Sequence, residues 1–262
     1  MGFDRIKNSL SKVGDKLLNK VADTIDDVGE VIDRTSQGKI MKVDNSTKVA
    51  DIDVNKIVVP TKTEGEIVVL AKGANMNLSD DIVTTPIACG IEWDEVKVGP
   101  DFDADVSCIL VDNDGANELI YFGTPKTDGK ILSKCKSVFH TGDNLTGADD
   151  AVPGVATNED DETIFVKLSD LPASVDKVVF LINIYGGESK GQTFGTTSTM
   201  QARLYDVPSG NVFMEADLME NNATNRAMVV GEFYRNESGW KYKNLSTGSN
   251  DSSLQKLVDA YK

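Results

Sequence analysis

The sequence predicts a mainly β protein: a two-sheet β-sandwich with an added N-terminal amphipathic α-helix and a short C-terminal helix. Three observations predict it. Beyond residue 65, short apolar segments recur about every ten to fifteen residues between turns rich in Gly, Asn, Asp and Ser, the rhythm of stacked antiparallel sheets. Before residue 34 the apolar positions follow helical spacing instead. The composition, 40% hydrophobic and 26% charged over 262 residues, is that of an ordinary globular chain.

Residues 1–35 are expected to form the helix. Phe3, Ile6, Leu10, Val13 and Leu17 fall three and four apart, and after a one-residue slip Leu18, Val21, Ile25, Val28 and Ile32 resume the stripe. Its first half is basic and its second half acidic, and acids at the C-terminal end oppose the helix dipole. A lone helix of about thirty residues cannot bury such a stripe. The segment is therefore expected to act as a docking arm for a protein partner or a second copy, with its own domain or a membrane surface as the other takers.

Residues 36–65 read as a polar connector, with turns at 36–38 and 44–47 and a short strand over 56–60 ended by Pro60. Within residues 66–262, strands are expected over 67–70, 87–93, 106–111, 118–122, 163–168, 177–185, 200–205, 228–234 and 240–242. Asp114-Gly115 supplies hairpin chemistry between the third and fourth of these. Asp251 or Ser252 is placed to cap a closing helix whose face is Leu254, Leu257, Val258 and Tyr261. Trp93 and Trp240 read as core residues.

Lys plus Arg number 27 and Asp plus Glu 42, a formal net charge of −15, and the imbalance lies wholly beyond residue 65. Such a chain repels a phosphate backbone, which excludes nucleic acid as an expected partner and favours cations or basic surfaces. The longest apolar runs, such as residues 178–182, fall far short of the roughly twenty residues a spanning helix needs. Cys89, Cys108 and Cys135 are odd in number and fit no zinc spacing, so free thiols are expected in a reducing, cytoplasmic setting, or in a virion for a viral chain. Residues 3–13 alternate apolar with charged and form no signal-peptide core.

The acids are concentrated. Residues 92–118 hold nine against one base, Lys97, and residues 143–162 hold seven against none. Asp101, Asp103 and Asp105 alternate with Phe102, Ala104 and Val106, so an extended chain puts three carboxylates on one face and three apolar side chains on the other. A row of like charges is unfavourable unless a cation neutralises it. Oxygen donors of this kind suit Ca²⁺, which accepts about 6–8 of them. Gly142-Asp143-Asn144-Leu145-Thr146-Gly147 fits the same chemistry, since its glycines allow a tight turn that leaves Asp143 and the Asn144 amide oxygen free to converge. The spacing is not that of an EF-hand, because Val106 stands where glycine is needed. A solvated acidic face remains the plain alternative.

From Leu70 onward the chain resembles the TerD family of tellurite-resistance and stress-response proteins. The resemblance rests on motifs in family order, among them Gly90-Ile91-Glu92-Trp93-Asp94, Asp101-Phe102-Asp103-Ala104-Asp105, His140-Thr141-Gly142-Asp143-Asn144-Leu145-Thr146-Gly147, Asp160-Asp161-Glu162 and Gly231-Glu232-Phe233-Tyr234-Arg235. It implies a non-enzymatic, calcium-binding β-sandwich of TerD type over residues 66–262. It further implies that Asp101, Asp103, Asp105, Asp143, Asn144, Asp160, Asp161 and Glu162 build the metal sites, for more than one ion. The stretch between Gly147 and Asp160 is longer than the family's usual acidic connection, and residues 1–65 lie outside the resemblance.

Other chemistry fits less well. His140, the single histidine, sits beside the Gly-Asp-Asn turn, where an orienting hydrogen bond is a plainer role than a general base. The glycines of residues 186–195 match neither phosphate-loop nor dinucleotide spacing. The alternative to a stress-response role through protein interactions is an assembly subunit, for example of a phage particle, docked through its N-terminal helix.

Overall fold

The structure, a computed structural model, describes residues 41–57, 70–96, 99–147, 160–251 and 253–261. The helix expected over residues 3–33, the strand expected at 67–70 except for Leu70, and the long connection at 148–159 lie outside the described residues.

Two antiparallel sheets stack as a sandwich. The first holds β1 (Asn75–Asn77), β3 (Ala104–Asp112), β4 (Gly115–Ile120), β9 (Val175–Ile184), β12 (Ala227–Asn236) and β13 (Gly239–Ser249), in the order β1-β13-β12-β9-β3-β4. The second holds β2 (Ile87–Trp93), β5 (Lys126–Thr127), β6 (Lys130–Leu132), β7 (Val138–His140), β8 (Glu162–Val166), β10 (Met200–Asp206) and β11 (Val212–Asp217), in the order β11-β10-β2-β8-β7-β6-β5. Among the described residues four short α-helices flank them: α1 (Asp80–Thr84), α2 (Gly187–Lys190), α3 (Leu218–Asn222) and α4 (Leu254–Asp259).

The long strands fall where apolar residues alternate. In β3, Val106, Cys108 and Leu110 point between the sheets, while Ile109 and Val111 meet Leu257 and Val258 of α4 on the outer face. In β9, Val178, Phe180, Ile182 and Ile184 point inward and Val179 and Leu181 outward. The stretches Cys108–Val111 and Val178–Ile182 are continuously apolar because both faces of these strands are covered there. The closing helix has its N-cap one or two residues after the expected Asp251 or Ser252: Ser253 holds that position with no side-chain cap bond, and Asp251 instead accepts from the Ser253 N–H. Trp93 and Trp240 are buried, and all three cysteines are free thiols.

The described part of the connector differs from its reading as polar turn material. Residues 44–47 do form the expected turn, with Asp44 accepting from Ser46. Val49 and Ile52, however, are buried against Ala88, Phe139, Phe165 and Tyr205 on the outer face of the seven-stranded sheet. Val54–Lys56 is a 3-10 turn where a strand was expected to begin. Two lysines secure this strap from the sheet side. The buried Lys167 ammonium donates to the carbonyls of Asn45 (2.6 Å) and Thr47 (3.1 Å), and Lys130 donates to the carbonyl of Ala50. A buried ammonium is costly unless bonded, so the strap's carbonyls and the lysines satisfy each other. Ile52→Ala is expected to cost about 2–4 kcal/mol of unfolding free energy in urea titrations. The exposed Lys48→Ala control should stay within about 0.5 kcal/mol of wild type.

Candidate metal centre

The site forms where β3 begins and β9 ends. β4 pairs with β3 only from Cys108 onward, so the side of β3 away from β9 has no strand neighbour at Val106. Side chains from the other sheet close that edge. The Val106 N–H donates to Glu162 Oε2 at 3.1 Å, and the Val106 carbonyl lies 3.1 Å from His140 Nε2. His140 Nδ1 accepts from the Gly142 N–H, so Nε2 carries the proton and donates to Val106. Burial lowers the His140 pKa to about 4, leaving a neutral ring. Burial first, then the Asp105 charge, raises Glu162 well above the ordinary carboxylate range. Their 3.7 Å approach is therefore contact between two groups whose charged forms burial disfavours, and His140 has the orienting role expected of it.

The turn after β7 is built on the same carboxylate. Glu162 Oε1 accepts from the Asn144 N–H at 3.1 Å. The Asn144 amide oxygen accepts from the Thr146 and Gly147 N–H groups, and its Nδ2 donates to Asp161 Oδ1 at 2.9 Å. Gly147, at φ +62, packs directly under the Trp93 side chain and leaves no room for a Cβ. These bonds turn Asp143 toward β3.

Three of the expected ligands meet. Asp103, Asp105 and Asp143 each present a carboxylate oxygen, and the three oxygens lie within 4.8 Å of one another. Phe102, Ala104 and Val106 enter the core as the alternation requires, but the opposite face is not solvated, for Asp103 and Asp105 are themselves buried. Asn183, the β9 register partner of Asp105, donates its Nδ2 to Asp105 Oδ2 at 3.1 Å. The remaining oxygens, Oδ1 of Asp103, Oδ1 of Asp105 and Oδ1 of Asn183, are buried and without a hydrogen-bond partner. Buried oxygens of this kind are costly to leave unpaired. A hard cation is the species that such a donor set fits.

The other expected ligands serve the frame. Asp101 is exposed, and its carbonyl accepts from Lys190 (3.1 Å) and Gln192 (3.2 Å). Asp160 is turned away to Arg203 (2.5 Å) and Tyr205 (3.1 Å). Asp161 accepts from the Trp93 N–H (2.9 Å) and from Asn144. Glu162 and the Asn144 side chain are taken up as described. Backbone, amide and guanidinium donors thus take up the carboxylates of Asp160, Asp161 and Glu162, whereas that of Asp101 is exposed and its charge acts on Asp103. Asn183 was not foreseen; its signal is a single amide inside the apolar run of residues 178–184, on the outward parity of the strand.

Electrostatics report the crowding. Burial, then the Asp103 and Asp143 charges, push Asp105 up to about 8, against the opposing Asn183 hydrogen bond and Lys190. Burial and Asp143 raise Asp103 to about 6. The folded chain thus holds these protons more tightly than the unfolded chain, so the stability they contribute is intact below the ordinary Asp value near 3.8 and is lost as pH rises through about 6 and then 8. With chelator present, the melting midpoint should fall between those two values, and Asp105→Asn should flatten the decline when followed by circular dichroism.

Comparison with known proteins agrees with this architecture. The sequence model of the TerD domain family matches residues 67–261. The chain is 31% identical over 208 residues to Stress response protein SCP2 of Bacillus subtilis, covering 73% of this chain and 98% of that protein. It is 33% identical over 186 residues to Tellurium resistance protein TerD of an Alcaligenes species, covering 68% and 89%. The crystal structure of a homologue of telluride resistance protein TerD from Streptomyces coelicolor superposes with a TM-score of 0.54 at 16% identity, over 67% of this chain and 96% of that one. Among the described residues no helix is long and apolar enough to cross a membrane. A family match over this span, carried by the same β-sandwich, makes the chain a member of the TerD family.

Proposed function

We propose that this chain is a non-enzymatic calcium-binding protein of the TerD type, acting through contacts with other macromolecules in a stress response or in resistance to tellurium. The names of its relatives support the setting. One observation carries the ion: three buried, unpartnered oxygens, on Asp103, Asp105 and Asn183, stand beside the Asp143 carboxylate. Asp103, Asp105 and Asp143 would hold the ion, with Asn183 Oδ1 as a neutral donor. The charge supplied there would cancel the repulsion among the carboxylates and tie the turn after β7 to the start of β3. Calcium fits better than magnesium, because protein donors from the start of β3, the end of β9 and the turn after β7 suit a large ion of flexible coordination more than a strict octahedron that keeps its waters.

Binding to the folded state alone raises stability by mass action, about 2.7 kcal/mol at a hundredfold excess over Kd. For a domain of this size that is a rise of roughly 5–10 °C in Tm. Calorimetric scans in excess Ca²⁺ and in chelator should differ by this amount, and Asp105→Asn should remove most of the difference. Coincident midpoints for the unsubstituted chain would end the calcium reading.

A further inference from the structure

The described residues leave two large apolar side chains exposed: Leu145 at 57% and Tyr185 at 56%. Both belong to the segments that form the carboxylate cluster. Leu145 stands two residues beyond Asp143 in the turn after β7. Tyr185 follows the last residue of β9, two beyond Asn183, and its N–H donates to the carbonyl of Asp103 at 2.8 Å. One tip therefore comes from each sheet. The Lys190 ammonium lies 6.0 Å from the Tyr185 ring centre and donates to the Asp101 carbonyl, so one cation sits at the rim.

We propose that this end of the sandwich docks on an anionic phospholipid surface when a divalent cation occupies the Asp103–Asp105–Asp143 cluster, with Leu145 and Tyr185 as the inserting side chains. The inference rests on the calcium reading above. Without an ion, the three clustered acids and the exposed Asp101 beside them face one ammonium, and a chain of net charge −15 is repelled by an anionic membrane. One divalent ion offsets most of that local deficit. With one oxygen from each carboxylate and Asn183 Oδ1, the cluster would supply four of the about 6–8 oxygens Ca²⁺ takes, which leaves positions for lipid phosphate oxygens. A Leu and a Tyr flanking the ion suit the headgroup boundary, where an apolar side chain enters the acyl region and a tyrosine keeps its hydroxyl wet. A protein partner is the poorer fit, since a stable interface covers about 800 Å² on each side around an apolar centre, and here there are two single tips.

The test is flotation of the full chain with phosphatidylcholine–phosphatidylserine vesicles, beside calorimetric titration with Ca²⁺ alone and light scattering. Calcium-dependent flotation is expected. The double variant Leu145→Ser with Tyr185→Ser should lower vesicle partitioning at least about tenfold, given the apolar area it removes, with Ca²⁺ affinity and melting midpoint unchanged. Flotation that persists in chelator, or that the double variant leaves undiminished, overturns the proposal. So does calcium binding without flotation, which leaves the ion reading intact. Calcium-dependent dimerisation without flotation, lost in the double variant, would assign the tips to a second copy instead. Absence of calcium binding removes the ion reading itself, and this inference with it.

Discussion

The free edge of β3 at Val106 is the constraint around which the site is organised. A strand that lies between β9 and a neighbour stopping at Cys108 must satisfy one N–H and one carbonyl by other means. Glu162 and His140, both from the opposite sheet, provide them. Each then makes a second bond into the turn after β7: Glu162 to the Asn144 N–H, His140 to the Gly142 N–H. Two side chains thus seal the sandwich at this end and fix the loop that carries Asp143. The approach of Asp143 to Asp103 and Asp105 follows from these backbone bonds, which hold three acidic side chains together.

That frame explains which parts of the chemistry were legible in the sequence. The alternation over residues 101–106 forced Phe102, Ala104 and Val106 inward, so the shared face of Asp103 and Asp105 followed from pleat geometry alone. β2 and the start of β10 match their expected ranges because the first is a bounded apolar run and the second alternates Met200, Ala202 and Leu204 with polar residues, each with turn residues outside it. The use made of Asp160, Asp161 and Glu162 was not legible. Three consecutive acids look alike in a string of letters, yet one faces Arg203, one the Trp93 backbone and one Val106. Strand parity sends neighbours to opposite faces, and what waits on each face is a tertiary fact.

The strap over the seven-stranded sheet was hidden for a related reason. Residues 41–57 are as apolar as the chain at large, but Val49, Ile52, Val54 and Ile57 are spaced three, two and three apart and sustain neither a strand nor a helix period. Their burial depends on Phe139, Phe165 and Tyr205, which lie a hundred residues or so away on three strands. The lysines that bond the strap were equally opaque: Lys130 and Lys167 read as surface charges until the carbonyls of Asn45, Thr47 and Ala50 are seen to lie over them. The family match begins at residue 67, so this cover belongs to what the chain carries beyond the shared domain.

The two outer faces of the sandwich are therefore treated differently from its end. One face is covered by α4 through Leu257 and Val258, the other by the strap through Val49 and Ile52. Apolar surface is removed from water on both, leaving the sheets as a rigid mount with little exposed large apolar area among the described residues. Against that background the grouping is informative: of the six buried side-chain oxygens without a partner among the described residues, three belong to Asp103, Asp105 and Asn183, while the others are on Ser107, Gln192 and Tyr242. Asp105 and Asn183 sit opposite each other in the β3–β9 register, so strand pairing fixes the backbone beneath two of these groups. A backbone fixed in this way lowers what ordering the site would cost a ligand.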